Sequence, residues 1–275
     1  MSSPEFEEKH FAKYLNLLGV QRKNPNLDSL KEIVRAQVLK IPFENISKLY
    51  YKKKSNLKQL IEFKLYLEGI EKYGFGGTCY AINFYLNKLL SWLGYDVKLC
   101  GADMKTKDVH IVNIVNIDGM EYLVDAGYAA PFSEPLPLYL KSDYSIISGN
   151  DRYNLKPKDT NNHSVIELFR NNTISHGYKL NPETRNIAEF TRVIADSFNE
   201  NATFMNTVLL THFESELFLT INNMTIIESR GPLSKTITVK SLEELASEID
   251  SRFGIPKAIV LESLSGIKFM RDAWD

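Results

Sequence analysis

The sequence predicts an α+β fold laid out in three consecutive parts. Three observations carry that expectation. Apolar residues recur at helical spacing through the first third of the chain. A β-branched stretch containing an Asp-Gly turn follows it, and short strands leading into a capped helix close the sequence. The expected divisions are residues 1–92, helical; 93–196, mainly strands; and 197–275, mixed.

Phe11, Tyr14, Leu15 and Leu18 share one helical face, and Gly19 closes that segment. A second helix is expected from about Asp28-Ser29 to before Pro42, because a residue preceding proline is pushed out of the helical region. Gly74, Gly76 and Gly77 interrupt the chain. A further helix starts at about Cys79, with Ile82, Leu86, Leu89, Leu90 and Leu93 as its apolar stripe, Thr78 as N-cap and Gly94 as its stop. Residues 95–100, 109–117 and 120–126 read as strands, and Asp118-Gly119 between the last two is a strong hairpin signal. Residues 154–164 are polar and read as loop, with strands expected at 165–169 and 190–194. Strands are expected again at 217–221, 225–228 and 236–239. Ser241 and Glu244 then form a capping box for a helix whose buried stripe is Leu242, Leu245, Ile249 and Phe253, ended by Gly254 and Pro256.

Composition narrows the function. An apolar fraction of 44% over 275 residues supplies a sizeable core. Lys plus Arg is 33 against 34 for Asp plus Glu, a net charge of -1, whereas phosphate binding needs a clear basic excess. No nucleic acid partner is expected, and the run Tyr50-Tyr51-Lys52-Lys53-Lys54 reads as a solvated helix end or loop. The two cysteines form no CxxC pair and no HExxH occurs, so no metal site is expected. Acidic residues stand near the N-terminus where a signal peptide carries basic ones, and no apolar run is long enough to cross a bilayer. The expectation is a cytoplasmic protein without membrane attachment and with both thiols free.

Cys79 follows a glycine-rich turn and opens a helix. The unpaired N–H groups and positive dipole end there favour a thiolate, and the glycines leave room for another molecule to approach. Most free cysteines are small buried residues, and position alone favours that reading. Cys100, at a strand end, has no activating setting. A nucleophilic thiol needs a base, and of the five histidines only His110 lies in the hairpin. If Ile117 pairs with Met120, His110 falls opposite Gly127 and Val112 opposite Asp125. His110 and Asp125 are then diagonal neighbours on one sheet face, unless a bulge intervenes. A carboxylate ending the apolar strand Tyr122-Leu123-Val124 also needs a partner, so the pair is as readily structural as functional. Cysteine, histidine and aspartate together are the residue types of a thiol triad.

These segments resemble the arylamine N-acetyltransferases. Phe75-Gly76-Gly77-Thr78-Cys79, with Asn83, is similar to that family's Arg-Gly-Gly-x-Cys motif. Ile41-Pro42-Phe43-Glu44-Asn45-Ile46 is similar to its I/V-P-F-E-N-L, and residues 117–127 resemble the strand carrying its aspartate. The separation of His110 and Asp125, 15 residues, also fits. Tyr14-Leu15 with Leu18-Gly19 resembles the opening helix, and the likeness thins after residue 130 to Thr203-Phe204 and Phe253-Gly254-Ile255. Departures fall at Phe75 for the family's Arg, at Ala81 for a Glu or Gln, and at Ala129 for a frequent glycine. The segment between Cys79 and His110 is also shorter than usual, which implies a reshaped coenzyme cleft.

The resemblance implies an N-terminal helical bundle carrying the nucleophile, a central β-barrel carrying His and Asp, and a C-terminal α/β lid around a cysteine-protease-like catalytic core. It implies acetyl-coenzyme A as acyl donor, a small aromatic amine or hydrazine as acceptor, and Cys79, His110 and Asp125 as the catalytic triad. Phe43, Val109 and Tyr128 would line the acceptor pocket; Thr106, Lys107, Gly127 and Thr203 would meet the coenzyme. Phe43 as plain core and Lys107 as a solvated strand end remain open. So do three other activities: a cysteine hydrolase or transglutaminase-like enzyme, an amide synthase, and a non-catalytic relative that only binds ligand.

Overall fold

The computed structural model describes residues 4–214, 217–231, 233–267 and 270. The reading of the N-terminus as lacking a signal peptide begins on residues 1–3, outside that range. The first part holds five helices and a short strand: α1 (Pro4–Leu18), α2 (Leu27–Lys40), β1 (Phe43–Glu44), α3 (Ile46–Ser55), α4 (Phe63–Tyr73) and α5 (Cys79–Trp92). Gly19, with a φ of 64°, ends α1 in the left-handed conformation that glycine adopts freely. The cap of α2 is Asn26, whose side chain accepts from Ser29 N at 2.9 Å. The Tyr50–Lys54 run is the end of α3.

α5 is central. Ile82, Leu86, Leu89 and Leu90 are all fully buried. The last three pack against Tyr14, Leu15 and Leu18 of α1 and Leu30 and Ile33 of α2, while Val115 and Val124 join this core from the neighbouring sheet. One apolar helix therefore joins the bundle to the strands.

That sheet contains β2 (Asp96–Asp103), β3 (His110–Ile117), β4 (Met120–Val124), β5 (Leu136–Pro137), β6 (Tyr144–Ser148), β7 (Asp151–Leu155), β8 (Ser164–Arg170) and β9 (Thr173–Thr184). Its order is β5-β4-β3-β2-β9-β8-β7-β6, and it curls into a half-barrel whose edges are β5 and β6. The expected central β-barrel is thus a half-barrel among the described residues. Its inner face is filled by Val112, Ile114, Leu123, Tyr153, Ile166 and Tyr178. The hairpin turn at Asp118 and Gly119 has φ of 51° and 81°, as a type I′ turn requires, and Ile117 pairs with Met120.

Two expectations fail here. Residues 190–194 are not a strand: a 3₁₀ turn, Ile187–Phe190, runs into α6 (Thr191–Asp196). Asn186 and Glu189 form a capping box that opens this helical stretch, and that local signal outweighs the β-branched content. The span 154–164 is loop only in its middle, since β7 reaches Leu155 and β8 starts at Ser164.

The last part contains β10 (Leu209–Phe213), β11 (Leu217–Asn222), β12 (Thr225–Arg230), β13 (Leu233–Thr238), α7 (Leu242–Phe253) and α8 (Lys257–Leu264). Ser241 Oγ accepts from Glu244 N at 3.1 Å, but the Glu244 carboxylate returns to Lys240 N, one residue before the expected partner. Leu245 and Ile249 are buried, whereas Leu242 is 40% exposed, so the buried stripe is shorter than expected. The second sheet has the order β1-β10-β11-β12-β13 and so recruits a strand from the first part. Asn45 secures that junction. Its Nδ2 donates to Phe204 O at 2.9 Å and Thr207 O at 2.7 Å, and its Oδ1 accepts from Leu209 N at 2.9 Å.

Asn45→Ala leaves these backbone groups without their partner. A loss of about 3 kcal/mol is expected from stranding buried polar groups. Urea unfolding measures it; a loss under about 1 kcal/mol contradicts the clamp.

Candidate active site

The position of Cys79 is set by the loop before it. A Cβ on Gly76 would lie 1.8 Å from Pro42 O, so only glycine allows the two segments to touch. Glu44 holds them together: Oε1 accepts from Gly76 N at 3.0 Å and Oε2 from Ser47 N at 2.8 Å. Burial raises the pKa of this carboxyl against those hydrogen bonds. Thr78 occupies the N-cap position of α5 as expected, but its side chain accepts no hydrogen bond from the first turn. The helix start therefore remains a polar environment for the Cys79 sulfur.

Cys79 is 7% exposed, with its Sγ 3.9 Å from Val109 O. Next in sequence, His110 opens β3, where it pairs with Ala102 of β2. Its Nε2 lies 2.8 Å from Asp125 Oδ2. The β3–β4 ladder stops at Asn113 and Val124, yet its register carried past that point does bring His110 and Asp125 together. Asp125 is a hub. Oδ2 also accepts from Tyr178 OH at 2.8 Å, while Oδ1 accepts from Asn83 Nδ2 at 2.8 Å and Gly127 N at 3.1 Å. Asn83 also donates to Ile111 O at 2.7 Å and accepts from Ala126 N at 3.0 Å, which fixes α5 to both strands.

Burial, the largest influence on His110, pulls its pKa down. The charge and hydrogen bond of Asp125, with a hydrogen bond and charge from Cys79, outweigh it and push the imidazole up to about 10. The ring is therefore cationic at neutral pH. Cys100 differs: it is fully buried, and that burial pushes its thiol up to about 12.

Cys79 and His110 line a cleft of about 510 Å³. Phe43, Val109 and Tyr128 line it too, as do Thr106, Gly127 and Thr203. Phe43 meets Phe204 edge-on, with 5.8 Å between ring centres. Tyr128 OH lies 2.8 Å from His176 Nδ1; burial, then His110 and Lys105, lower that imidazole to about 4. A Cβ on Gly127 would approach Cys79 Cα and Asn83 Nδ2 to 2.8 Å, so this glycine permits the close contact of strand end and helix start. Lys107 is exposed and stands outside the cleft lining, whereas Lys105 on the same loop is part of it.

Phe75 is buried against Tyr50, Tyr51 and Tyr73, so an aromatic cluster occupies the place of the expected arginine. Ala81 is buried in the helical core, and Ala129 has a φ of 59°, where glycine is favoured. Sequence reasoning missed Tyr178, because β9 carried no clear strand signal. It also gave Asn83 no task, although a polar residue four positions after Cys79 on an apolar helix was a usable sign.

Solved structures with this architecture include the arylamine N-acetyltransferase from Mycobacterium abscessus, with a TM-score of 0.79 at 15% identity over 96% of this chain and 99% of that one. The Mycobacterium marinum arylamine N-acetyltransferase in complex with CoA gives 0.75 at 19% identity, over 94% of this chain and 100% of that one. An N-acetyltransferase family model matches residues 26–260. The chain belongs to this family, that of the arylamine N-acetyltransferases. Among curated relatives, Proansamycin X synthase of Amycolatopsis mediterranei (strain S699) is 33% identical over 121 residues, 40% of this chain and 45% of that protein. Arylamine N-acetyltransferase 1 of Homo sapiens is 28% identical over 153 residues, 50% of this chain and 48% of that protein. The chain thus spans about half the length of the curated relatives it matches.

A raised imidazole pKa stabilises the fold fully below the unfolded value of 6.5, and that stabilisation is lost as pH rises through about 10. Asp125→Asn removes the anion responsible. Urea unfolding across that window should show stability falling with pH in the parent protein and a flatter profile in the variant. Identical profiles contradict the pairing.

Proposed function

We propose that the chain transfers an acetyl group from acetyl-coenzyme A to an arylamine or arylhydrazine through an acyl-Cys79 intermediate. One observation carries this reading: the Cys79 sulfur shares a cleft with an imidazole that a buried carboxylate holds in place. In the first step Cys79 thiolate attacks the thioester carbonyl, and the coenzyme thiolate leaves with a proton from His110. In the second, the amine attacks the acyl-cysteine, His110 takes its proton, and Cys79 leaves as thiolate. Asp125 orients the imidazole and stabilises its cationic form. Phe43, Val109 and Tyr128 receive the aromatic ring of the acceptor. The coenzyme passes Thr106, Gly127 and Thr203, with Lys107 at the solvent side.

In this reading residues 1–92 carry the nucleophile, 93–196 carry His110 and Asp125, and 197–275 form a lid beside the cleft. A cytoplasmic location belongs to the same proposal; among the described residues no helix is long and apolar enough to cross a membrane. The 33% identity to a protein named as a synthase favours a second reading, in which the amine and the acyl group belong to one substrate.

Intact mass after incubation with acetyl-coenzyme A tests the proposal. One acetyl group should appear on the parent protein and on Cys100→Ala, but not on Cys79→Ala. Added arylamine should remove it faster than water does, and Asp125→Asn should slow turnover by about 10⁴-fold, as for a triad aspartate elsewhere. An unacylated parent protein or an acylated Cys79→Ala overturns the assignment. Loss to water alone favours a hydrolase, and indifference to every free amine favours the synthase reading.

A further inference from the structure

Lys48, on α3, lines the same cleft as Cys79 and His110, yet the steps above give it no task. Lys48 is only 8% exposed. Its Nζ lies 2.6 Å from Ser197 Oγ and 3.9 Å from the centre of the Phe198 ring. The Ser197 hydroxyl donates its own proton to Ile194 O, so its oxygen serves as acceptor for the ammonium. Asp196, which also lines the cleft, is 3.8 Å from the exposed Arg192. Among the described residues Lys48 has no carboxylate partner, and the one charge that acts on it is that of Cys79.

An ammonium carries three donors, and one hydroxyl with one ring face satisfies them only in part. Burying a cation without an anion is unfavourable, and burial accordingly lowers this amine to about 8, with Cys79 opposing the shift. Acylation of Cys79 would remove even that opposing charge. The buried ammonium is then left without an anion of its own, since the Asp196 carboxylate lies beside Arg192, a setting that suits a negatively charged group brought in by the substrate.

We propose that Lys48 binds a carboxylate of the substrate beside the acylated cysteine and selects for substrates that carry one. This rests on the acyl-transfer reading given above. The coenzyme's own phosphates are separated from its thioester by the whole pantetheine arm, so they do not supply a charge next to Cys79. Two sources share the required chemistry: the far end of a dicarboxylic acyl group on the donor, and the ring carboxylate of an aminobenzoate acceptor.

Two paired comparisons distinguish them. The acceptor arm measures kcat/KM for 4-aminobenzoate against 4-aminobenzamide, with acetyl-coenzyme A as donor. The donor arm measures the rate of Cys79 acylation by succinyl- against acetyl-coenzyme A, read by intact mass. In at least one arm the parent protein should favour the carboxylate by about tenfold or more, as for one hydrogen bond to a charged group. Lys48→Met and Lys48→Gln should both abolish that ratio, and Lys48→Arg should restore it. A lysine that merely braces α6 would change rates in both members of a pair and leave the ratio intact. No preference in either arm, or one that survives in whichever neutral variant folds, overturns the proposal. Failure of any donor to acylate Cys79 is a separate outcome, which defeats the acyl-transfer reading itself.

Discussion

A buried carboxylate organises this protein. Asp125 is 2% exposed and accepts from four donors on different elements: His110 at the start of β3, Tyr178 on β9, Asn83 on α5, and the Gly127 backbone just beyond β4. A carboxylate buried without such partners is strongly unfavourable, so its satisfaction dictates where helix, hairpin and half-barrel meet. The same bonds fix the imidazole and hold it cationic. Asn113 extends the connection, donating to Asn83 O at 2.9 Å while accepting from Asn87 Nδ2 at 2.9 Å. A line of buried amides thus aligns α5 with β3, and that alignment places a helix start beside a strand start.

The second constraint is the short segment Pro42–Asn45. It presses on Gly76, ties the glycine loop through Glu44, and adds β1 to the C-terminal sheet. Asn45 then reaches the backbone leading into β10. Four consecutive residues therefore join the glycine loop before Cys79 to the last third of the chain. Phe75 fits this frame: it needs no polar partner because its ring packs among tyrosines, while Glu44 is satisfied by backbone N–H groups.

Where local signals were strong, the sequence was legible. The Asp118-Gly119 turn sets a register, and that register alone leads to the His110–Asp125 contact. The glycines around Cys79 and the helical stripe after it gave α5 to within a residue. Long-range pairings were not legible. Tyr178 reaches Asp125 across 53 residues from a strand that contains Gly177 and Pro182, and β1 joins a sheet whose other strands start at Leu209. Lys48 escaped notice for a related reason. A lysine near the start of a helix usually faces water, and only the approach of Ser197 and Phe198, just past the end of α6, encloses this one.

The central claim is that the Asp125 hub makes His110 a cation beside one particular thiol. Peptide-resolved labelling with iodoacetamide at neutral pH tests it directly, with both cysteines read in the same sample. Cys79 should label rapidly and Cys100, fully buried with its thiol pushed up to about 12, slowly. His110→Gln should slow Cys79 and leave Cys100 unchanged. Equal labelling of the two thiols, or a Cys79 rate indifferent to the loss of His110, would contradict it.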